Sequence, residues 1–354
     1  MPTNPIRLLL SARDPAAAMG IAAVARAAMA DSRFQPDLVA APPGLGWLRS
    51  QELPVRDASG DPMTAARAVL ESGLPDLALV GLSGPEPGLD EALCALLAGC
   101  VPCYALQDYW GDVNPGYGHH ADTYLVPDAT AAALTRQKTA ADIQIVGWPR
   151  YAGFRADGAW PGDRPDGPLL VWFGQPLWSF AGYAVTLSLL ADALHLLPDQ
   201  PRLFYRPHPK ENDADIARAV DILAGAPAFN GLLPAMSAAT ALVNADLILS
   251  CLSSVALDLA MLNARAAAPL GVSASLLLTP DIRSWAGPDR THPPLLKTGL
   301  TLAALSPDAL VPTLREGLLA DTRRHFWHHA RTTLSGQDGA PACVLDILAT
   351  RGER

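Results

Sequence analysis

The stretch Leu203-Phe204-Tyr205-Arg206-Pro207-His208-Pro209-Lys210 is the most informative feature of the sequence. A short apolar run that ends at Arg-Pro-His-Pro is typical of a buried strand that opens into a rigid loop. In an open parallel α/β sheet, ligands bind at the carboxyl ends of the strands. The stretch therefore predicts a strand of such a sheet, and it places an imidazole and two cations where an anion could bind.

A second element of the same kind follows roughly 45 residues downstream. The strand-like run Asp246-Leu247-Ile248-Leu249 leads into Ser250-Cys251-Leu252-Ser253-Ser254, and a helical pattern covers 255–262. Serine is a preferred helix N-cap, and a helix N-terminus presents the positive end of its dipole to an anion. Each element alone is explained by a rigid turn or a simple cap. The two in order predict a clamp for a phosphodiester or pyrophosphate.

The bulk composition restricts the class of protein. A chain of 354 residues, 50% of them hydrophobic, is long enough for two domains with sizeable cores. The net charge of −9 argues against a nucleic-acid partner, because affinity for the phosphate backbone needs a basic surface. The first apolar run, 6–10, is too short for a signal peptide, and no stretch approaches the ~20 apolar residues of a membrane span. We expect a cytoplasmic protein that at most touches the inner membrane face.

Short apolar runs alternate with Ala- and Leu-rich helical patterns, as in βαβ units with a parallel sheet. The alternation stops in a Gly-, Pro- and Asp-rich stretch at 155–168 and restarts at 169. The predicted fold is α/β, with two Rossmann-like doubly wound domains that face a central cleft. The predicted division is an N-terminal acceptor domain (1–154), a linker (155–168) and a C-terminal donor-nucleotide domain (169–354) whose last helices can cross back to the first domain. Predicted strands cover 6–10, 36–40, 77–81, 102–106, 123–126, 143–146, 169–174, 203–205 and 247–249.

The donor-nucleotide candidates are drawn from the strand ends of the second half. Gly174 would let a backbone approach a phosphate, His208 would hydrogen-bond a phosphate oxygen, and Arg206 or Lys210 would supply charge. Asp258 could accept a ribose hydroxyl, although a carboxylate that complements the helix dipole is nearly as good an explanation. The predicted set is Gly174, Gln175, Arg206, His208, Pro209, Lys210, Ser250, Ser253, Ser254 and Asp258.

A general base for an acceptor hydroxyl is expected among the carboxylates at strand ends of the first half. Asp108 follows the apolar run 103–106 and stands beside aromatic residues that could stack on a sugar ring, and Asp14 follows the first strand. Asp108, Asp14 and His208 are therefore the predicted catalytic residues. Asp108 as a loop cap is an equally simple reading, because Asp is common at such turns for backbone reasons.

No metal and no organic cofactor are predicted. His119 and His120 are adjacent, so their side chains point in different directions, and Asp122 completes no ligand set. The single CxxC, Cys100 to Cys103, is better explained by buried thiols than by redox chemistry. The sequence also lacks a G-x-G-x-x-G after its first strand, a Walker lysine loop and a G-x-S-x-G elbow, which disfavours dinucleotide oxidoreductases, P-loop enzymes and α/β-hydrolases.

A basic, aromatic stretch at 323–331 lies in a helical pattern near the C-terminus. Such a helix can dock peripherally on an anionic membrane. Its Phe326 and Trp327 are more simply explained by packing against the protein itself.

The sequence resembles the GT-B glycosyltransferases, especially the bacterial surface-polysaccharide group of polysialyltransferases, Kdo transferases and CDP-glycerol glycerophosphotransferases. Tyr205–Lys210 is similar to that group's His-Pro motif, and Ser250–Ser254 to its serine motif; Phe173–Leu177, Val146–Tyr151 and Leu106–Trp110 are supporting matches. The resemblance implies metal-independent transfer from a nucleotide-activated sugar, such as a CMP-linked acidic sugar, to a glycan or lipid-linked acceptor. It also implies that His208, Ser253 and Ser254 hold the donor phosphate. The acidic-acidic-glycine motif of the polysialyltransferases is not found in this sequence.

Two alternatives stay open. A nucleotide-sugar 2-epimerase shares the architecture but needs further acid and base residues. A catalytically inactive nucleotide-binding or scaffold protein would keep the fold, and the missing acidic motif favours it.

Overall fold

The computed structural model describes residues 4–82, 84, 86–156, 158–198, 201–286 and 294–352. Its internal contacts divide the chain into two units. Unit 1 comprises residues 1–153 and 336–354, and unit 2 comprises residues 154–335. The predicted linker, 155–168, falls within unit 2.

Unit 1 is built on a parallel sheet in the order β3-β2-β1-β4-β5-β6-β7, with the ranges given next. Its strands are β1 (Ile6–Ala12), β2 (Phe34–Ala40), β3 (Val55–Asp57), β4 (Leu77–Val80), β5 (Cys103–Leu106), β6 (Thr123–Val126) and β7 (Asp142–Ile145). The helices before residue 153 are α1 (Pro15–Met29), α2 (Gly44–Ser50), α3 (Pro62–Leu70), α4 (Leu89–Leu97) and α5 (Ala129–Arg136). All residues of β4, β5 and β6 are buried, as expected for strands covered on both faces.

Unit 2 repeats this architecture around a six-stranded parallel sheet. Its strands are β8 (Leu169–Phe173), β9 (Arg202–Arg206), β10 (Phe229–Leu232), β11 (Leu247–Ser250), β12 (Val272–Leu276) and β13 (Leu302–Ala304), in the order β10-β9-β8-β11-β12-β13. Its helices are α6 (Ala181–Leu194), α7 (Asp213–Leu223), α8 (Ala238–Asn244), α9 (Val255–Arg265), α10 (Pro280–Trp285), α11 (Pro294–Lys297), α12 (Pro307–Gly317) and α13 (Ala320–Thr333).

The last helix, α14 (Ala340–Gly352), belongs to the core of unit 1. Val344, Leu345 and Leu348 are buried in the same cluster as Leu8 and Ile21. The side chain of Gln337 supports this return, since its Oε1 accepts the backbone N–H of Trp148 at 2.7 Å. The chain therefore comes back to its first sheet at the C-terminus.

The prediction of an α/β fold with two parallel sheets is confirmed. β3, β10, β12 and β13 were not predicted, and β2 begins two residues earlier than predicted. β3, β10 and β13 are edge strands, and β10 contains Asn230 and Gly231, which disfavour strand structure. β12 is buried but carries Ser273 and Ser275. The neighbouring strand, rather than local propensity, stabilises each of them.

Candidate functional site

The carboxyl ends of β9, β8 and β11 lie side by side at one edge of the unit 2 sheet. Phe173 of β8 pairs with Arg206 of β9, and the backbone N–H of Gly174 donates to the Arg206 carbonyl at 2.8 Å. On the other side of β8, Leu249 of β11 pairs with Trp172. The structure thus brings the Gly174, Arg206–Lys210 and Ser250–Ser254 segments to a common edge.

Gln175 fastens the serine loop to the end of β8. Its Oε1 accepts the backbone N–H groups of Cys251 at 2.9 Å and of Leu252 at 3.1 Å, and its Nε2 donates to the Leu252 carbonyl at 2.7 Å. Its own backbone N–H donates to the Tyr183 hydroxyl at 3.0 Å. The Gln175 side chain is buried, so its contribution to the site is to hold this loop in place.

Arg206 is a half-buried cation with a free guanidinium. Its Cζ lies 5.5 Å from the centroid of the Phe173 ring, a cation–π arrangement. Partial burial lowers its pKa. Among the described residues, no carboxylate forms an ion pair with it and no acceptor receives a hydrogen bond from its side chain. A partly desolvated cation is costly without a counter-charge, so this position favours an anionic ligand.

His208 presents one ring nitrogen to the loop, because its Nδ1 accepts the backbone N–H of Lys210 at 3.1 Å. Burial lowers the pKa of the imidazole; Glu211 opposes this shift, while Lys210 and Arg206 reinforce it. A neutral imidazole whose Nδ1 accepts must carry its proton on Nε2. His208 is therefore a neutral Nε2–H donor at neutral pH. Pro209 and Lys210 are exposed beside it.

The serines occupy positions different from those expected of helix caps. Ser254 is the N-cap residue of α9, but it has helical dihedral angles (φ −61°, ψ −12°) and its hydroxyl makes no capping bond. A capping side chain needs an extended backbone at this position, so of the two serines predicted as candidates for the cap, Ser253 or Ser254, Ser254 does not cap the helix. The Ser253 Oγ accepts the N–H of Val255 only at a long 3.4 Å. Ser250 is buried at the end of β11, and Asp258 is half-buried in the first turn of α9.

The predicted carboxylates of unit 1 lie at the carboxyl end of its own sheet, Asp14 after β1 and Asp108 after β5. Burial raises the pKa of Asp108 to about 7, Asp112 and Asp14 contribute in the same direction, and Arg150 opposes them. Burial also raises the pKa of Asp112, with Lys138 opposing and Asp14 reinforcing the shift. The three carboxylates therefore interact electrostatically, and Asp108 has the pKa of an effective general base at neutral pH.

Hydrogen bonds fix the loop that carries Asp108. Gln107 donates from Nε2 to the Asp112 carbonyl at 2.6 Å and to the Thr135 hydroxyl at 2.8 Å. The Trp110 indole donates to the Asp128 carboxylate at 2.7 Å. Asp14 is held in turn, because its Oδ2 accepts the N–H of Gly84 at 3.0 Å.

Three carboxylates with structural or electrostatic roles were missed in the sequence. Glu211 follows His208 by three residues, a spacing that could have indicated a turn partner. Asp112 lies in the loop after β5, and no sequence pattern in that loop indicated a role for it. Asp90 is buried and binds the Ser11 hydroxyl at 2.6 Å and the Arg13 N–H at 3.0 Å, so it shapes the chain that leads to Asp14.

The remaining sequence features are explained by packing. Cys103 contacts Cys94 rather than Cys100, with the two sulfurs 3.0 Å apart and both thiols buried. On α13, Phe326 is buried and the Trp327 indole donates to the Ala266 carbonyl at 3.0 Å, so these aromatic residues pack on unit 2. Within the described ranges, no three His, Cys, Asp or Glu residues are grouped so that they could hold a metal ion. No helix in that part of the chain has both the length and the apolar character needed to cross a bilayer.

Comparison with known proteins gives matches at the level of structure only. No protein-family model and no curated protein sequence matches the chain. The Staphylococcus aureus protein MnaA in complex with UDP is similar, with a TM-score of 0.69, 13% identity and coverage of 98% of this chain and 96% of that one. The UDP-GlcNAc 2-epimerase of Neisseria meningitidis bound to UDP-GlcNAc has a TM-score of 0.66, with 11% identity and coverage of 98% and 100%. The calicheamicin glycosyltransferase CalG4 has a TM-score of 0.61, with 11% identity and coverage of 99% of each chain. These similarities, together with the two parallel sheets, show that the chain has the GT-B fold.

Proposed function

We propose that the protein is a glycosyltransferase that moves a sugar from a nucleotide-activated donor to a glycan or lipid-linked acceptor. The observation that carries this assignment is the half-buried guanidinium of Arg206, which has no ion-pair partner in the described part of the chain, together with the Nε2–H donor of His208. Arg206 is the last residue of β9 and His208 lies in the loop that follows, at the edge of the sheet where α/β folds bind nucleotides. The similar structures of MnaA and of the N. meningitidis epimerase contain UDP and UDP-GlcNAc, which also favours a nucleotide-sugar ligand.

In the proposed reaction, the bond between the sugar carbon and the donor phosphate breaks while a bond from the acceptor oxygen to that carbon forms. Negative charge develops on the departing phosphate. His208 would donate a hydrogen bond to it, Arg206 would supply positive charge, and the first turn of α9 would add its N–H groups. Asp108 would accept the proton of the acceptor hydroxyl, for which a pKa of about 7 is suitable.

The second candidate is a nucleotide-sugar 2-epimerase, and the similarity to the N. meningitidis enzyme specifically favours it. Such an enzyme would use the same phosphate-binding groups, but its base would remove a proton from the sugar rather than from an acceptor. Asp108, Asp14 and Asp112 would then be the acid and base candidates.

The test is an incubation with CMP-, CDP-, UDP- and GDP-linked sugars, with and without a glycan acceptor, followed by NMR of the products. Acceptor-dependent release of nucleotide supports a transferase, and a 2-epimeric sugar supports an epimerase. Nucleotide binding without either product would favour the inactive binding protein. His208→Ala should abolish release, whereas His195→Ala, at an exposed histidine of the same unit, should preserve it. Unchanged release in His208→Ala would refute the assigned site.

A further inference from the structure

The two carboxylate oxygens of Glu211 accept hydrogen bonds from different residues around the carboxyl end of β9. Oε1 accepts the Tyr205 hydroxyl at 2.7 Å and the Trp178 indole N–H at 3.0 Å. Oε2 accepts the backbone N–H of His208 at 2.7 Å. The Glu211 backbone N–H also donates to the His208 carbonyl at 2.9 Å, so the two residues close a turn around Pro209 and Lys210.

This arrangement leaves no room for a side chain at the end of β8. A Cβ added to Gly174 would collide with Oε2 of Glu211 and would lie 2.5 Å from the Tyr205 hydroxyl oxygen. Gly174 is therefore explained by the close approach of the Glu211 carboxylate to the sheet edge. A ligand that approached the Gly174 backbone would therefore also meet the Glu211 carboxylate.

The carboxylate also acts on the charge of His208. The charged groups that affect the imidazole are Glu211, Lys210 and Arg206, and Glu211 is the one anion among them. It opposes the burial and the two cations that lower the pKa of His208. The turn that Glu211 closes brings the backbone N–H of Lys210 to Nδ1 of His208. The ring proton of His208 is therefore on Nε2.

We propose that Glu211 is a positioning residue that fixes the His208 imidazole as an Nε2–H donor for the phosphate of the nucleotide. That the ligand is a nucleotide rests on the proposed function. The tautomer and the pKa of His208 do not depend on it. Glu211 touches no reacting atom in this assignment. It acts through the turn that it closes and through its charge.

The test combines NMR of the His208 ring with direct nucleotide binding. Spectra of wild type and His208→Asn identify the His208 signals among the eight histidines. Glu211→Gln removes the charge but keeps an oxygen that can accept the His208 N–H, so we expect the tautomer to persist and the pKa of His208 to fall. Glu211→Ala also removes the hydrogen bond, so we expect a mixture of tautomers and about tenfold weaker binding of UDP or CMP, measured by calorimetry. Asp213→Asn, at an exposed carboxylate in the first turn of α7, should change neither property.

An unchanged tautomer and pKa of His208 in a folded Glu211→Ala protein would overturn the inference. If Glu211→Ala does not fold, the pKa in Glu211→Gln decides, and no fall in that pKa would overturn it. If wild type binds neither UDP nor CMP, the proposed ligand is wrong, while the ring measurements still test the role of Glu211.

Discussion

The side-chain oxygen of Gln175 accepts the backbone N–H of Cys251 at 2.9 Å, so the residue after β8 holds the loop after β11. The loop carries Ser253 and Ser254 and precedes α9. Cys251 is fully buried, and its N–H therefore depends on this one acceptor rather than on water. The position of the serine loop is thus set by a residue 76 positions earlier in the chain.

Gln175→Leu should destabilise unit 2, because it leaves the N–H groups of Cys251 and Leu252 without their acceptor. The expected loss in the free energy of unfolding is about 2–3 kcal/mol, as for unsatisfied buried donors. Urea unfolding followed by tryptophan fluorescence measures it. Gln137→Leu, at an exposed position of unit 1, should change this free energy by no more than about 0.5 kcal/mol. Equal stabilities of the two variants would contradict the structural role of Gln175.

Arg206→Gln should weaken nucleotide binding at least about tenfold, because it removes a charge-assisted contact to phosphate. Binding should also depend less on salt, since one fewer cation faces the anion. Titration calorimetry with UDP and CMP at two salt concentrations provides the measurement.

The matched control for Arg206 is Arg218→Gln. The Arg218 guanidinium also stacks on an aromatic ring of unit 2, with Cζ 4.8 Å from the Trp178 centroid, but Arg218 is exposed. Its replacement should leave affinity within a factor of about two of wild type. A similar loss in both variants would show that stacking, rather than the free charge of Arg206, supports binding.

Asp108→Asn should lower the rate of sugar transfer by about 10²–10⁴, the usual contribution of a general base. In wild type the rate should rise with pH through about 7, because the carboxylate must lose its proton to act as a base. A pH–rate profile of kcat/KM checks both expectations. Retention of the rise near pH 7 in Asp108→Asn would assign it to another group.

The same substitution should stabilise the protein above pH 7. The pKa of Asp108 is about 7 in the folded protein against 3.8 for an ordinary Asp, so the folded state binds more protons between these values. Wild type therefore loses stability as pH rises from about 4 to about 7, and Asp108→Asn avoids this loss. We expect a gain of about 4 kcal/mol at pH 8 that disappears below pH 4. A pH-independent difference between wild type and Asp108→Asn would contradict the assigned shift.

Two of the five thiols should react quickly with a thiol reagent in the native protein. Cys100 and Cys343 are exposed, whereas Cys94, Cys103 and Cys251 are buried. The contact with Cys103 and burial raise the pKa of Cys94, which further lowers its reactivity. Counting labels by mass spectrometry, before and after denaturation, tests this. Rapid labelling of Cys94 or Cys103 would contradict the packing of unit 1.

The strands with long apolar runs were predictable, because strands buried on both faces consist of consecutive apolar residues that can be read from the local sequence. β8 and the central part of β9 are continuous apolar segments, and Arg206 at the end of β9 marks the carboxyl edge of the sheet. The edge strands β3 and β10 were not predictable, since their residues form strands only against a neighbour. That Ser254 does not cap α9 was not predictable, because a cap depends on the dihedral angles of one residue, and the sequence pattern does not set them.

Hydrophobic periodicity and turn residues are local properties, so they indicated the two parallel α/β units and the candidate groups at their strand ends. The arrangement of those groups follows only from the folded chain. Folding directs the Gln175 side chain to the serine loop, leaves the Arg206 guanidinium without an ion-pair partner among the described residues, closes the His208 turn with Glu211 and places Asp14 and Asp112 where their charges raise the pKa of Asp108. The Gln175 contact joins residues far apart in the chain, the Glu211 contact depends on the exact geometry of a turn, and the pKa of Asp108 depends on burial. Sequence patterns set none of these distances, and hydrogen bonds and charge interactions depend on them.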